Sequence, residues 1–480
     1  MAAYLMMGVA VGFTSCSNDD VINGENPGIE QGTDDTQVLT LKIASSGDGL
    51  TTRAGRPLYS NVADQKIDNV VLYFVNGSDK IVLTKKIDWA DATVYDDSRG
   101  HGKEMEIALK GNQKLTTNGT YTIYAVGYSN ESDYTTFAPV LPTDDNGTYN
   151  AAATTSWSDF FAVLDFGKSD AEEIFAGSTQ VTVADKAFNL NLDGTKNSIT
   201  LHRQVAGITG YLTNIPVAVD GKATRYVRLV SVNKNEKVLF GQFNSDFTHT
   251  DNDVNYIVNG ANSASANAFY AGSTGRYDAH IIYSIDLADW FVSQDPGDMY
   301  NLASCDLDND GFLGYKDVKE YVKQNSTAEA VANYENIWKN PHYSEGVRFV
   351  RGSVFSGKFV IPFEKGSTNT LQLQLLDANG NITKYWNINA NETHTGSTSD
   401  TDSWEKFDTD ASIYNIYRNH MYNVGMKAVN NPGDPDDPDP EVPDPTDPTN
   451  PEDPEDLSKG QDLILMVNDN WEIIHRMELD

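Results

Sequence analysis

The sequence predicts a mostly β protein of two antiparallel β-sandwich domains, with a small helical calcium-loop insertion, an acidic Pro-rich linker and one isolated C-terminal strand. Three observations point there. Between residues 38 and 428, short runs rich in β-branched and aromatic residues are separated by Gly, Asn, Asp and Ser, as in antiparallel sandwiches rather than α/β units. A chain of 480 residues exceeds one ordinary core and fits two domains plus a tail. Residues 432–460 then hold nine of the 17 prolines and eleven Asp or Glu, a composition that cannot bury a core.

Taken in order, the chain opens on an apolar run, residues 2–13, that is too short to span a bilayer and reads as a signal h-region. It leads into Phe13-Thr14-Ser15-Cys16, which looks like a bacterial lipobox with Cys16 as the lipidated residue and residues 1–15 as the signal peptide. No basic n-region precedes the run, which is consistent with a start upstream of Met1. With Cys16 so used, Cys305 is the only other cysteine, and stability comes from cores rather than disulfides. Residues 16–53 read as a propeptide carrying the first strand, 38–43. The small, polar segment 45–57 beyond it suits a protease, with Arg53–Ala54 as the bond to be cut. Arg56 is followed by Pro57, which obstructs trypsin-like cleavage.

Strands are expected at 70–75, 104–109, 121–128, 188–192 and 199–212 in a first domain, 54–215. A turn with Pro216 and Gly221 divides it at 214–220 from a second domain, 216–430, with strands at 225–232, 280–285, 347–362, 371–376 and 421–428. Helical signals are few. Ser169 and Glu172 match a capping box opening a helix over 169–175, and a compact helical cluster over 287–340 reads as an insertion.

Inside that insertion, Asp306, Asp308, Asp310 and Asp317 stand at positions 1, 3, 5 and 12 of a calcium loop, with Gly311 at position 6 for the sharp turn. Phe312 would lend its backbone carbonyl, and a helix over 316–324 should follow. Asp317 replaces the Glu of sensor loops, a shorter twelfth ligand that resembles the dockerin version. The alternative is an acidic surface turn without metal; if calcium is bound, its role is structural.

The tail divides into the linker, 431–461, and a last segment, 462–480. As extended polyproline II at ~3.1 Å per residue, residues 432–460 would reach up to about 90 Å. In the last segment Leu463, Leu465, Val467, Trp471, Ile473, Met477 and Leu479 share one parity, interrupted by Asp469 and His475. Burying those seven side chains is worth on the order of 10–20 kcal/mol before ordering entropy, so this strand must dock. Its pattern leaves open whether it docks on its own domain or in another molecule.

A net charge of −34 argues against nucleic acid and anionic membrane as partners. No zinc-protease His pair, Gly-x-Ser-x-Gly elbow or phosphate-binding glycine loop is present. Ser231 and Lys234 echo a nucleophile tetrad by chance spacing, and His202 and His420, each beside an Arg, read as core or surface residues. The chain therefore reads as a non-enzyme. Removing the first strand would open a sheet groove, and the tail supplies a strand able to fill it in another copy.

Together, the lipobox at Cys16, Thr52-Arg53-Ala54, the run Ile67–Val75, Leu201-His202-Arg203-Gln204-Val205-Ala206-Gly207, Tyr417-Arg418-Asn419-His420-Met421-Tyr422 and the Pro-rich approach to a Trp-bearing last strand resemble the Bacteroidetes fimbrillins, the type V pilins, in particular minor-fimbria shaft subunits. That resemblance implies two transthyretin-like, Greek-key sandwiches, export to the surface as an outer-membrane lipoprotein, and arginine-specific trimming after Arg53. It further implies polymerisation by donor-strand exchange, with the seven tail residues as plugs in a neighbour's groove. Implied partners are other copies of the chain, accessory anchor and tip fimbrillins, an arginine-specific protease and an adhesion target. Alternatives are an anchor or tip component, or a calcium-containing surface glycan-binding lipoprotein, which 24 Tyr and seven Trp permit without demanding.

Overall fold

Apolar side chains at every second position bury one face of a strand, and two such faces brought together make a sandwich. The computed structural model builds two of these. It describes residues 36–45, 67–87, 89, 93–97, 100–128, 134–138, 148–149, 153–164, 173–189, 197–231, 233–235, 237–240, 260–261, 264–265, 280–291, 302–324, 349–390, 410–425, 454–459 and 463–468.

The first, ten-stranded sheet runs Thr93–Asp97, Gly100–Lys110, Thr36–Ser45, Asn197–Arg203, Ile174–Ala184, Gly119–Tyr128, Asn69–Asn76, Ile81–Ile87 and Thr148–Tyr149, with Ala187–Asn189 beside Ile174–Ala184. Among the described residues, Phe175↔Arg203 and Ala176↔His202 are the pairs that join its two halves, so the sheet folds over at that corner. Leu39, Leu41, Ile43, Ile107, Ile199 and Leu201 from one half meet Leu72, Phe74, Ile123 and Val181 from the other in one core.

The second, nine-stranded sheet runs His280–Asp286, Tyr226–Ser231, Leu371–Leu376, Ile382–Ala390, Leu463–Asn468, Met421–Val424, Ala206–Thr213 and Ser353–Val360, with Glu455–Asp456 also on Ala206–Thr213. It too closes on itself. A Cβ at Gly210 would collide with the Tyr283 hydroxyl, so strands far apart in the sheet order face each other across the core. A third cluster, including Tyr73, Trp157, Phe160, Val205, Phe240, Phe359 and Met421, bridges residues of both sheets.

Several elements differ from the sequence reading. The run expected as one strand over 199–212 is two: Asn197–Arg203 ends in the first sheet and Ala206–Thr213 begins in the second. The chain thus changes sheet at Gln204–Val205, ahead of the turn at 214–220 where a division was expected. Hydrophobic periodicity runs through the crossover because Val205 and Ala206 are both fully buried. The helix expected over 169–175 gives way to a strand from Ile174 to Ala184, whose ten-residue ladder with Gly119–Tyr128 outweighs the capping-box pattern. Ser169 and Glu172 lie outside the described residues. Among the described residues of the 287–340 insertion, short 3-10 turns at Leu287–Asp289 and Leu302–Cys305 precede an α-helix, Tyr315–Gln324. The linker expected to stay unfolded through Gly460 docks its end: Glu455 and Asp456 pair with Leu212 and Thr213, and Leu457 is fully buried. The burial there comes from Leu457, the apolar residue three positions after Pro454. Among the described residues, no helix is long and apolar enough to cross a membrane.

The two motif segments Leu201–Gly207 and Tyr417–Tyr422 meet where the chain changes sheet. Asn419 N donates to Val205 O (2.8 Å), Gly207 N donates to His420 O (2.9 Å), and Gly207 lies opposite Met421. Arg203 forms a buried ion pair with Glu173 (2.7 Å) and sits over the Phe175 ring. His420 is fully buried, with Nδ1 donating to Arg418 O at 2.8 Å. Burial pushes its pKa down from 6.5 to about 4, with the nearby Arg418 charge acting the same way and the carbonyl contact opposing it. Between these values the unfolded chain takes up a proton that folded His420 refuses. Stability should therefore fall as pH drops from about 6.5 to about 4, by up to roughly 3 kcal/mol from this group. Urea unfolding at several pH values should show that slope, and His420→Gln should flatten it.

Candidate functional site: two strand slots and a metal loop

The first strand, Thr36–Ser45, occupies the interior of its sheet. It runs antiparallel to Gly100–Lys110, from Thr36↔Lys110 to Ala44↔Gly102, and parallel to Asn197–Arg203, from Leu41↔Asn197 to Ser45↔Leu201. Leu39, Leu41 and Ile43 are at most 1% exposed. Gln37, on the same face, donates to Leu115 O (2.8 Å) and Lys186 O (2.6 Å) and accepts from Leu115 N (2.8 Å). Loss of this strand would leave two inner ladders unpaired across a gap of about 10 Å, twice the interstrand spacing. Arg53, Ala54 and Cys16 lie outside the described residues. A cut after Arg53 would leave the first strand held by these noncovalent contacts alone.

The last strand among the described residues, Leu463–Asn468, fills the corresponding interior position of the second sheet. It runs parallel to Ile382–Ala390 through Ile388↔Leu463 to Ala390↔Leu465, and antiparallel to Met421–Val424 through Met421↔Asn468 to Val424↔Leu465. Leu463, expected as a plug for another copy, is 1% exposed in this chain's own core. Leu465 and Val467 share its ladder. Trp471, Ile473, Met477 and Leu479 lie outside the described residues.

The loop expected to hold calcium brings three of its four spaced carboxylates together. Oxygens of Asp306, Asp308 and Asp317 lie within 4.8 Å of one another. Asn309 and Gly311 take positive φ (60° and 86°), and Gly311 N donates to Asp306 Oδ2 at 3.0 Å. The other Asp306 oxygen, Oδ1, is buried with no hydrogen-bond partner, which suits a cation. Asp317 is 1% exposed and accepts from Leu307 N and Gly314 N, both at 2.8 Å. Asp310 is not one of these three; its carboxylate accepts from Lys316 Nζ at 2.8 Å and Phe312 N at 3.0 Å. Burial pushes the Asp317 pKa up to about 6, with the Asp308 and Asp306 charges adding to it, and burial likewise raises that of Asp306. Crowded carboxylates of this kind are what a divalent ion relieves.

The partner of this loop was not legible in the sequence. Phe312–Leu313 pairs with Ile215–Pro216, and Val217 N donates to Gly311 O (3.1 Å). The domain body thus supplies the short strand on which the loop rests, and opposite Phe312 stands Pro216, which has no N–H to offer the Phe312 carbonyl. A Cβ at Gly314 would strike the Asn214 side chain, which also bonds the Asp456 carboxylate. His202 is buried in the first sheet, and Ser231 Oγ donates to the Asn233 carbonyl within its own turn (2.8 Å).

Fold and site together define a two-sandwich β protein in which peripheral segments of the chain complete both sheets. No family model matches the sequence, and no curated protein matches it. Among solved structures it is similar to a proposed cell adhesion protein from Bacteroides eggerthii, at 10% identity over 90% of this chain and 95% of that one, with a TM-score of 0.35. It is also similar to a fimbrial assembly protein from Parabacteroides distasonis, at 12% identity over 52% and 85% with a TM-score of 0.27. The fimbrial anchor protein Mfa2 from Porphyromonas gingivalis gives 14% identity over 54% and 86%, with a TM-score of 0.26. At these values the likenesses carry no functional argument.

Because Leu457 is wholly enclosed, Leu457→Ala should destabilise the second sandwich by about 2–5 kcal/mol. Denaturant unfolding followed by tryptophan fluorescence would measure it. A change near zero would mean that the end of the acidic run is not docked.

Proposed function

We propose that this chain is a structural subunit of a cell-surface fimbria that supports adhesion, exported as a lipoprotein through Cys16, cut after Arg53 and polymerised by donor-strand exchange. The interior seat of the first strand carries this reading. A strand paired on both sides cannot leave without baring two rows of backbone donors and acceptors, and a strand from another copy is the chemically matched replacement. Donor and slot belong to different sandwiches, so the contact is heterologous and propagates head to tail. Anchor and tip fimbrillins and an arginine-specific protease are the accessory partners that this route requires.

Calcium belongs to the same proposal as a structural ion. Asp306, Asp308, Asp310, Asp317 and the Phe312 carbonyl would hold it, stapling the insertion to Ile215–Val217. What supports this is the convergence of three carboxylates around a buried, unpartnered Asp306 oxygen. A second functional reading, an anchor or tip component, draws on one observation: the strand Leu463–Asn468 is seated in its own sheet.

Protein from Ser17 onward, treated with an arginine-specific protease, should form filaments whose chains begin at Ala54, and only when residues 432–480 are present. Negative-stain microscopy with N-terminal sequencing decides it. Cleavage without filaments would favour the anchor reading. For the metal, millimolar calcium should stabilise the protein by about 1–3 kcal/mol, as expected for a site of extracellular affinity. Thermal unfolding with and without a chelator would show this, and Asp317→Asn should abolish the response.

A further inference from the structure

The acidic run leaves the second sheet and returns to it at one place. Met421–Val424 lies parallel to Ala206–Thr213 with Val424 opposite Gly210. Glu455 and Asp456 lie parallel to the same strand opposite Leu212 and Thr213, so the second ladder resumes almost where the first stops. Gly425 marks the exit. Its φ is 71°, and a Cβ there would come within 2.1 Å of Tyr211 O and 2.7 Å of Glu455 N. Residues 425 and 455 are therefore neighbours in space, and the prolines and acids between them add nothing to the reach of the terminal segment.

The chain beyond Asp456 is fastened at successive points. Leu457 N donates to Thr213 O (3.0 Å) and its side chain is buried; Leu463 enters the same core. Residues 463–468 then separate Ile382–Ala390 from Met421–Val424, pairing with both. Withdrawing them would cut the second sheet in two and bare backbone on both sides.

We propose that residues 455–468 are a fixed anchor of the chain's own second sandwich, that the exchanged strand is confined to residues 469–480, and that the acidic run is a closed loop rather than the tether of the donor. This rests on the donor-strand reading above and narrows it. The length is sufficient: the first strand fills its slot with ten residues, and the twelve residues 469–480 outnumber them. Trp471, Ile473, Met477 and Leu479 keep the alternation that a half-buried slot needs. The terminal alternating segment is thus two working parts, one holding its own subunit together and one available to the next.

The test uses the chain from Ser17 onward with Asn423→Cys and Met466→Cys, residues that face each other across the two strands. After oxidation, with the cross-link verified by peptide mapping, the protein is cut with the arginine-specific protease. Filaments are then quantified by sedimentation and negative-stain microscopy. Locked protein should polymerise within about twofold of the same protein reduced, and so should a chain lacking residues 432–450. Deletion of 469–480 alone should abolish filaments. If the locked protein polymerises only after reduction, the anchor must leave its seat and the inference fails; failure of the cross-link to form in the monomer counts against it equally. Loss of filaments on removing 432–450 would restore the run as a tether. Filaments that persist without 469–480 would instead overturn the donor-strand reading itself.

Discussion

Backbone hydrogen bonding of interior strands governs this molecule. A strand inside a sheet has donors and acceptors committed on both sides, and leaving either row bare inside a core costs more than most side-chain contacts return. Here two such positions are filled by segments from the periphery of the chain: Thr36–Ser45 in the first sandwich and Leu463–Asn468 in the second. Each has one parallel and one antiparallel neighbour; Leu39 and Leu41 of the first and Leu463 of the second are buried in the cores. The cohesion of both sandwiches therefore depends on strands contributed by distant parts of the sequence.

The elements around these positions hold them in register. Where the chain changes sheet, Val205 and Gly207 exchange backbone bonds with Asn419 and His420, while the Arg203–Glu173 pair closes the corner of the first sheet. At the other end of Ala206–Thr213, Asn214 lies between Gly314 of the acidic loop and Asp456 of the tail. One strand of the second sandwich thus leads from the crossover to the acidic loop and the docked tail.

Much of this was readable in advance, and the reasons differ by element. The strand over 371–376 was placed to the residue because alternating leucines fix it, although Gln372 and Gln374 turned out to be buried as well. The loop at 306–317 was recognisable because its carboxylates sit within twelve consecutive residues, and three of them, Asp306, Asp308 and Asp317, come together in the fold. The break at Gln204–Val205 was hidden because no Gly or Pro marks it and buried residues continue through it. The docking of Glu455–Leu457 was hidden for a different reason. Composition averages over the acidic run, whereas docking depends on a single leucine at its end. Nothing local in the sequence pairs Phe312–Leu313 with Ile215–Pro216, residues almost a hundred positions away.

The slot of the first strand has a further property. Gly100–Lys110 is antiparallel to the first strand and Asn197–Arg203 parallel to it, so the two walls run in opposite directions to each other. Any strand entering between them, whichever way it points, finds one parallel and one antiparallel partner. Main-chain pairing alone therefore says little about orientation. That information lies in the relief of the floor, where Gln37 is bonded at one end and Leu39, Leu41 and Ile43 fill the rest. Polarity in a chain of such molecules would be written in the order of side chains, much as the cuts of a key, rather than its shaft, decide which way it enters a lock.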